Sequence, residues 1–248
     1  MMKVDFRRMF TTPLVYILAG ISLVMPVLIL IMTSALAGTT TDPVTGAEKV
    51  VEGFQNVWQS FGSVSGTAAT LDLTGMCNVN LLYFLAAVFV CIFIADDFRS
   101  GYAKNLFAVR SSKVDYVVSK TLAGFTGGAV TFLCYFVGAM IGGGIAGLSF
   151  APEGTSAGGI VMCLLSKLFL FGVFVSIFVL MSVVGKQKLW LSLLCSLGAG
   201  MLLFTMIPMM TPLDSTVLNV VLCLAGGAAF GAGLGAVGNV ILKKTSLV

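Results

Sequence analysis

Charged side chains that could bind a polar partner are concentrated in one interior segment, Ala95 to Lys120. This segment, ADDFRSGYAKNLFAVRSSKVDYVVSK, holds five of the 14 Lys and Arg residues of the chain. The five are Arg99, Lys104, Arg110, Lys113 and Lys120. Such a segment either docks on an acidic or grooved partner surface or is a solvated loop whose positive charges only fix membrane topology. Charge alone leaves both interpretations open.

One further ionisable residue, Lys167, stands inside an apolar run, CLLSKLFLF. A charged Lys at the centre of a membrane helix costs about 2.5–3.5 kcal/mol on insertion scales. Its side chain is therefore expected either to reach the outer membrane surface along the helix or to face a cavity on a substrate path. The apolar runs hold no Asp or Glu between their ends, which disfavours a transporter coupled to protons or sodium.

Several kinds of chemistry are excluded by residue type. The chain has no His, which removes Ser-His-Asp triads, Cys-His dyads and His-based zinc or haem sites. Its six Cys residues show no C-x-x-C spacing and read as small buried side chains. The GKQK sequence at Gly185 lacks the upstream glycine and the following Ser or Thr of a phosphate-binding loop. We therefore expect no catalytic residue, metal site or bound cofactor in this chain, and no enzymatic activity.

Composition predicts a membrane protein made of helices. Of the 248 residues, 58% are hydrophobic and only 10% are charged, whereas soluble domains carry about 25% charged residues. The mean hydropathy is +1.06. These values predict an all-α, polytopic integral membrane protein. The net charge of +4 is explained by membrane topology, so no nucleic-acid partner is expected.

The apolar runs predict six transmembrane helices in a single domain, 1–248. They cover about 13–37, 78–95, 116–142, 158–184, 189–208 and 215–242. Lys and Arg residues in the segments that flank and connect these runs, with Lys120 counted in the charged segment, number three, one, five, none, two, none and two in chain order. The positive-inside rule then places both termini in the cytoplasm. The first run is long for the core of a signal peptide, so cleavage at the SALAG sequence is not expected.

The charged segment has a helical pattern of its own. Phe98, Tyr102, Leu106 and Val109 follow the spacing of one helical stripe. Ser112 and Asp115 have the spacing of a capping box, which predicts the start of the next helix. The sequence therefore predicts a short amphipathic helix within 96–115, a break at 110–112, and then the third span, which ends at the GGG sequence 142–144.

This segment resembles the stretch that follows the second span in ATP-binding-cassette export permeases of the ABC-2 type. The matching positions are Asp97, Gly101, Lys104, Arg110, Ser111, Tyr116 and Lys120. Six spans, cytoplasmic termini and a length near 250 residues are also features of that family. The stretch covers about a tenth of the chain, whereas the topology covers nearly all of it.

The resemblance implies that the short helix is a coupling helix that docks on a separate ATPase subunit. The residues expected to form this surface are Asp97, Arg99, Gly101, Tyr102, Lys104, Asn105, Leu106, Arg110 and Lys113. ATP and Mg would be used by the ATPase, with a second permease subunit completing a homo- or heterodimer among the membrane lipids. The implied cargo is an antimicrobial peptide, a drug or a lipid-like molecule, exported through a bacterial plasma membrane. Peptide-resistance (lantibiotic immunity) permeases are the favoured subgroup.

The long outer segment 38–77 contains a second amphipathic pattern. Across 47–61, AEKVVEGFQNVWQSF, the apolar residues share one helical face, which predicts an amphipathic helix on the outer leaflet or over the assembled spans. It would form a lid or, with Phe54, Trp58 and Lys167, an outer gate on the substrate path.

Small residues spaced four apart predict close helix contacts. The pairs are Gly124/Gly128, Gly138/Gly142, Gly227/Gly231 and Gly231/Gly235. Their partners, within the chain or across a dimer interface, are left open.

Two other functions compete with export. One is a channel or secondary transporter that needs no ATPase. The other is a membrane scaffold or sensor that binds a soluble partner through the same 96–115 loop.

Overall fold

The computed structural model describes residues 1–36, 38–41, 48–51, 53–63, 78–109, 113–152 and 154–244. Nine α-helices lie in this part of the chain. They are α1 (Met2–Thr11), α2 (Pro13–Leu36), α3 (Leu81–Arg99), α4 (Tyr102–Val109), α5 (Val114–Ala146), α6 (Ala157–Gly185), α7 (Leu189–Phe204), α8 (Ile207–Met210) and α9 (Val217–Lys244). Two short antiparallel strands, β1 (Gly38–Thr41) and β2 (Glu48–Val51), pair with Gly38 opposite Val51.

Five helices are long and apolar enough to cross a membrane, namely α2, α3, α5, α6 and α9. The predicted helical, polytopic class is thereby supported. The run predicted as a span over 189–208 is instead divided between α7 and α8. Helix α7 has 16 residues, or about 24 Å at the helical rise per residue, less than the hydrocarbon core of about 30 Å. Pro208 contributes to the interruption because it has no N–H to bond back to Phe204.

Two helix ends lie beyond their predicted positions. Helix α3 continues to Arg99 rather than ending at residue 95, and this places Asp96 and Asp97 on its last turn. Helix α5 continues through the GGG sequence and ends at Ala146, and the next residue, Gly147, has a φ of 70°, the left-handed conformation that closes many helices. The expected break at 142–144 is wrong because Gly142 and Gly143 are buried contact positions inside the helix.

Glycine residues let α5 approach its neighbours closely. A Cβ at Gly138 would overlap the carbonyl oxygen of Leu23 on α2, and one at Gly142 would lie 2.7 Å from the Cα of Val27. About three turns earlier along α5, a Cβ at Gly128 would lie 2.7 Å from the ring of Phe171 on α6. The predicted packing role of the Gly124/Gly128 and Gly138/Gly142 pairs is therefore confirmed.

The pairs in α9 are less uniform. Gly227 packs against Gly172 of α6, where an added Cβ would lie 3.3 Å from the Phe169 carbonyl oxygen and 3.5 Å from the Gly172 Cα. At Gly231 and Gly235 an added Cβ would meet only side chains, at 3.6 Å and 3.8 Å. Of these three glycines, only Gly227 is at a backbone-to-backbone contact.

We expect Gly138→Ala to destabilise the protein by about 1–3 kcal/mol, because the methyl group forces α2 and α5 apart. Gly144→Ala is the matched control on the same helix, since nothing lies within 4 Å of a Cβ at Gly144. That control should be neutral or stabilising by up to about 1 kcal/mol, since Ala favours helix over Gly. Free energies of unfolding in detergent micelles measure both. Equal values for the two variants would contradict the close α2–α5 contact.

The outer segment does not form the amphipathic helix predicted over 47–61. Residues 48–51 form β2, and Val57–Ser60 form one turn of 3-10 helix. Phe54, Val57 and Phe61 are buried in the protein rather than facing lipid. Val57 lies against Gly143 of α5, so these apolar residues are used to pack the segment onto the helices.

Candidate functional site

The charged segment forms the end of one helix, a sharp turn and a second, short helix at one end of the bundle. Helix α3 ends at Arg99, and Gly101 has a φ of 72°, a conformation that is costly for other residues. The short helix α4 follows at Tyr102 and confirms the predicted short helix within 96–115. Phe98 belongs to α3, so the expected continuous stripe from Phe98 to Val109 is wrong.

Helix α4 has one side against the protein and one side open. Ala103 is buried, and Leu106 and Phe107 are half-buried against the core. Lys104 and Asn105 are exposed, and Val109 is 86% exposed. Arg99, at the end of α3, is also exposed. Of the residues predicted to form a docking surface, these three polar ones, Arg99, Lys104 and Asn105, face outward.

Asp97 does not lie on that surface. Its side chain is fully buried, and both oxygens of its carboxylate accept hydrogen bonds. Arg8 Nη1 donates to Oδ1 at 2.7 Å, and Tyr116 donates its hydroxyl to Oδ2 at 3.0 Å. Lys120 Nζ lies 2.6 Å from the same Oδ2. The extension of α3 by one turn directs Asp97 inward, while its neighbour Asp96 is exposed.

Asp97 belongs to a buried charged cluster made of Asp5, Arg8, Asp97 and Lys120. Lys120 Nζ also donates to Asp5 Oδ1 at 2.7 Å, and the Ser119 hydroxyl donates to Asp5 Oδ2 at 2.6 Å. Two cations balance two anions, and Lys120, Asp5 and Asp97 are inaccessible to solvent. Because removal of one partner would leave a buried unpaired charge, the charged cluster ties α1, α3 and α5 together.

Tyr102 connects the charged cluster to α4. The Arg8 guanidinium lies over the Tyr102 ring at 4.2 Å, which is the range of a cation–π contact. Burial acts to lower the pKa of Arg8, but the hydrogen bond and charge of Asp97 outweigh it and leave that pKa above its usual value. Burial, assisted by the charge of Asp5, raises the pKa of the Tyr102 phenol. Arg8 therefore stays cationic and Tyr102 stays neutral.

Two further connections meet at this end of the bundle. Lys113 Nζ donates to the Leu242 carbonyl at 2.5 Å near the end of α9, so this predicted docking residue is half-buried and engaged. Gln187 Nε2 donates to the Phe98 carbonyl at 3.5 Å. Arg110 and Ser112 lie outside the described residues. The N-cap of α5 is Lys113, without a side-chain cap bond.

Lys167 does not reach the outer surface. Its side chain is fully buried, and Nζ donates to Asn80 Oδ1 at 3.0 Å and to Thr211 Oγ1 at 2.9 Å. Within the part of the chain that the structure describes, no carboxylate forms an ion pair with it. The expectation that it extends to the membrane surface is wrong, because these two acceptors lie on segments packed beside α6. A role on a substrate path stays a prediction.

Phe54 and Trp58, the other predicted gate residues, hold the outer segment in place. Phe54 is buried, and the half-buried Trp58 donates its indole N–H to the Phe150 carbonyl at 2.8 Å. Asn56 donates its side-chain amide to the Ala151 carbonyl. These contacts fix the segment to the connection between α5 and α6, which favours the lid interpretation over a mobile gate.

Sequence reasoning missed Asp5 and Ser119. Asp97, Tyr116 and Lys120 were singled out by the resemblance, and the structure brings these three into contact. The one available signal for Asp5 is that it is an acidic residue in the basic N-terminal segment that precedes the first span. Among the described residues, no group of three or more Cys, Asp or Glu side chains is placed to hold a metal ion.

Comparisons of the chain with protein-family models, with curated proteins and with solved structures gave no match.

Proposed function

We propose that this chain is the membrane subunit of an ATP-driven exporter of the ABC-2 type, powered by a separate ATPase. The observation that carries the proposal is the form of α4: a short helix outside the long apolar helices, with Arg99, Lys104 and Asn105 exposed beside it. A short helix with charged flanks can dock in a groove of a partner and pair with acidic groups at its rim. Both termini would lie in the cytoplasm of a bacterial cell, on the same side as α4.

The charged cluster supports a mechanical role for α4. Through Tyr102, α4 contacts Arg8, and Arg8 bonds to Asp97 at the end of the second long helix. Lys120 then joins Asp97 to α1 and α5. A displacement of α4 by a docked ATPase would therefore move the ends of three helices together, as in rigid-body switching.

The exported substrate is proposed to be amphipathic: an antimicrobial peptide, a drug or a lipid-like molecule. A second permease subunit would complete the path. A membrane scaffold that binds some other soluble protein would use the same exposed surface, so partner identity separates the two functions. A channel that needs no ATPase is the third possibility.

The test is gentle affinity purification of the chain from native membranes, followed by mass spectrometry. Export by the proposed mechanism requires a soluble ATPase at close to one copy per chain. Recovery of a different soluble protein at that ratio would favour the scaffold. Recovery of the chain alone, with no nucleotide-stimulated transport in its membranes, would contradict the proposal and favour the channel.

A further inference from the structure

Helix α1 turns its acidic side toward the protein. Asp5 and Met9 are completely buried, and Arg8 points to Asp97. The two bonds to Asp5, from Lys120 and Ser119, fix the rotation of α1 about its own axis. The orientation of every other side chain on this ten-residue helix follows from that rotation.

The opposite side of α1 carries two exposed basic residues. Lys3 and Arg7 are both exposed and lie four positions apart, so they are neighbours on one helical face. The apolar residues Val4 and Phe10 flank this pair and are 49% and 42% exposed. No ion pair in the described part of the chain includes Lys3 or Arg7. The face therefore combines uncompensated positive charge with exposed apolar side chains.

The position of this face relative to the membrane follows from the helix that comes next in the chain. Only Thr12, in an extended conformation, separates α1 from α2, a 24-residue apolar helix. Tyr16, on the first turn of α2, is exposed and donates its hydroxyl to the Phe10 carbonyl at 2.9 Å. Tyrosines are enriched at the boundary between hydrocarbon and water. Helix α1 thus lies at the level where the headgroups of that leaflet meet the acyl chains.

We propose that Lys3 and Arg7 form a binding site for the headgroup phosphate of an anionic phospholipid. Arg and Lys bind phosphate by charge-assisted hydrogen bonds, and basic side chains near a membrane surface attract anionic lipids. Val4 and Phe10 enter the upper acyl region, as in other interfacial helices. This lipid site does not depend on the proposed export function, because it requires only the membrane, the charged cluster and α1.

The experiment uses the full-length protein in mixed micelles that contain phosphatidylglycerol and phosphatidylcholine in equal amounts. Native mass spectrometry counts the lipids of each type that stay bound. The wild-type protein should retain phosphatidylglycerol about tenfold more than phosphatidylcholine, given two basic side chains near the surface. The Lys3→Gln/Arg7→Gln variant should lose most of this preference.

Arg99→Gln/Lys104→Gln is the matched control, because it removes two exposed cations that lie on α3 and α4 rather than on α1. This control should keep the preference for phosphatidylglycerol. The lipid site on α1 is overturned if wild-type protein shows no preference, if Lys3→Gln/Arg7→Gln keeps it, or if both double variants lose it equally. The last result would mean that net charge, rather than the face of α1, attracts the lipid.

Discussion

Replacement of Lys120 by Met is expected to destabilise the protein by about 3–5 kcal/mol, the usual cost of removing one partner from a buried ion pair. Lys120 Nζ lies 2.7 Å from Asp5 Oδ1 and 2.6 Å from Asp97 Oδ2, and none of the three side chains reaches solvent. Met preserves most of the volume of Lys but leaves two carboxylates facing each other without their shared cation. Unfolding free energies in detergent micelles, or melting temperatures of the purified chain, measure the loss.

A second substitution distinguishes the charge effect from a packing effect. In the Asp5→Asn/Lys120→Met variant one anion and one cation are removed together, while Arg8 still pairs with Asp97. More than half of the lost stability should return, and this coupling is measured by a double-mutant cycle. Lys113→Met is the control on the same helix end, and it should cost only about 1 kcal/mol because it removes a single hydrogen bond. A Lys120→Met variant as stable as wild type would contradict the charged cluster.

The long helices could be predicted from the sequence because hydropathy has few alternative explanations over 20 apolar residues. The division of the fifth predicted span could not be predicted in the same way, since α7 and α8 are both apolar and only the backbone at Thr205 and Met206 separates them. The exact ends of the helices could not be predicted from the sequence either. The four extra residues of α3 decide whether Asp96 or Asp97 faces inward. Because the two residues are identical, residue type does not indicate which one is buried.

The outer segment shows a different limit of periodicity. The predicted apolar face over 47–61 includes Phe54, Val57 and Phe61, and all three are buried in the protein. The pattern over 47–61 nevertheless predicts one helix, although short apolar runs fit a strand equally well. Residues 48–51 pair with 38–41 instead. Such pairing depends on residues outside 47–61, so the spacing within that segment does not contain it.

Lys167 illustrates the same limit for a single charge. Its depth along α6 could be read from the sequence, but its two acceptors, Asn80 and Thr211, belong to segments far away in the chain. The choice between the membrane surface and the protein interior depends on those acceptors. Only the three-dimensional packing of the chain brings these acceptors next to Lys167.

Reversal of the charge at Arg99 and Lys104, in the Arg99→Glu/Lys104→Glu variant, is expected to reduce recovery of the ATPase by about tenfold or more. Both side chains are exposed beside α4 and bear no partner in the described part of the chain. Like charges brought together across an interface cost several kcal/mol. The spans should still insert, because neither residue belongs to the charged cluster. Quantitative mass spectrometry after affinity purification measures the ratio of ATPase to permease.

Lys243→Glu/Lys244→Glu is the matched control for that variant. It changes the net charge by the same amount, and the two lysines are exposed at the end of α9. That end lies on the same side of the bundle, since Lys113 bonds to the Leu242 carbonyl. If α4 is the docking element, the control should recover ATPase at the wild-type ratio. Equal losses in both variants would show that the partner responds to general positive charge. If the Arg99→Glu/Lys104→Glu variant recovers as much ATPase as the wild type, α4 is not the docking element. The positive charges of the segment would then serve only to fix membrane topology.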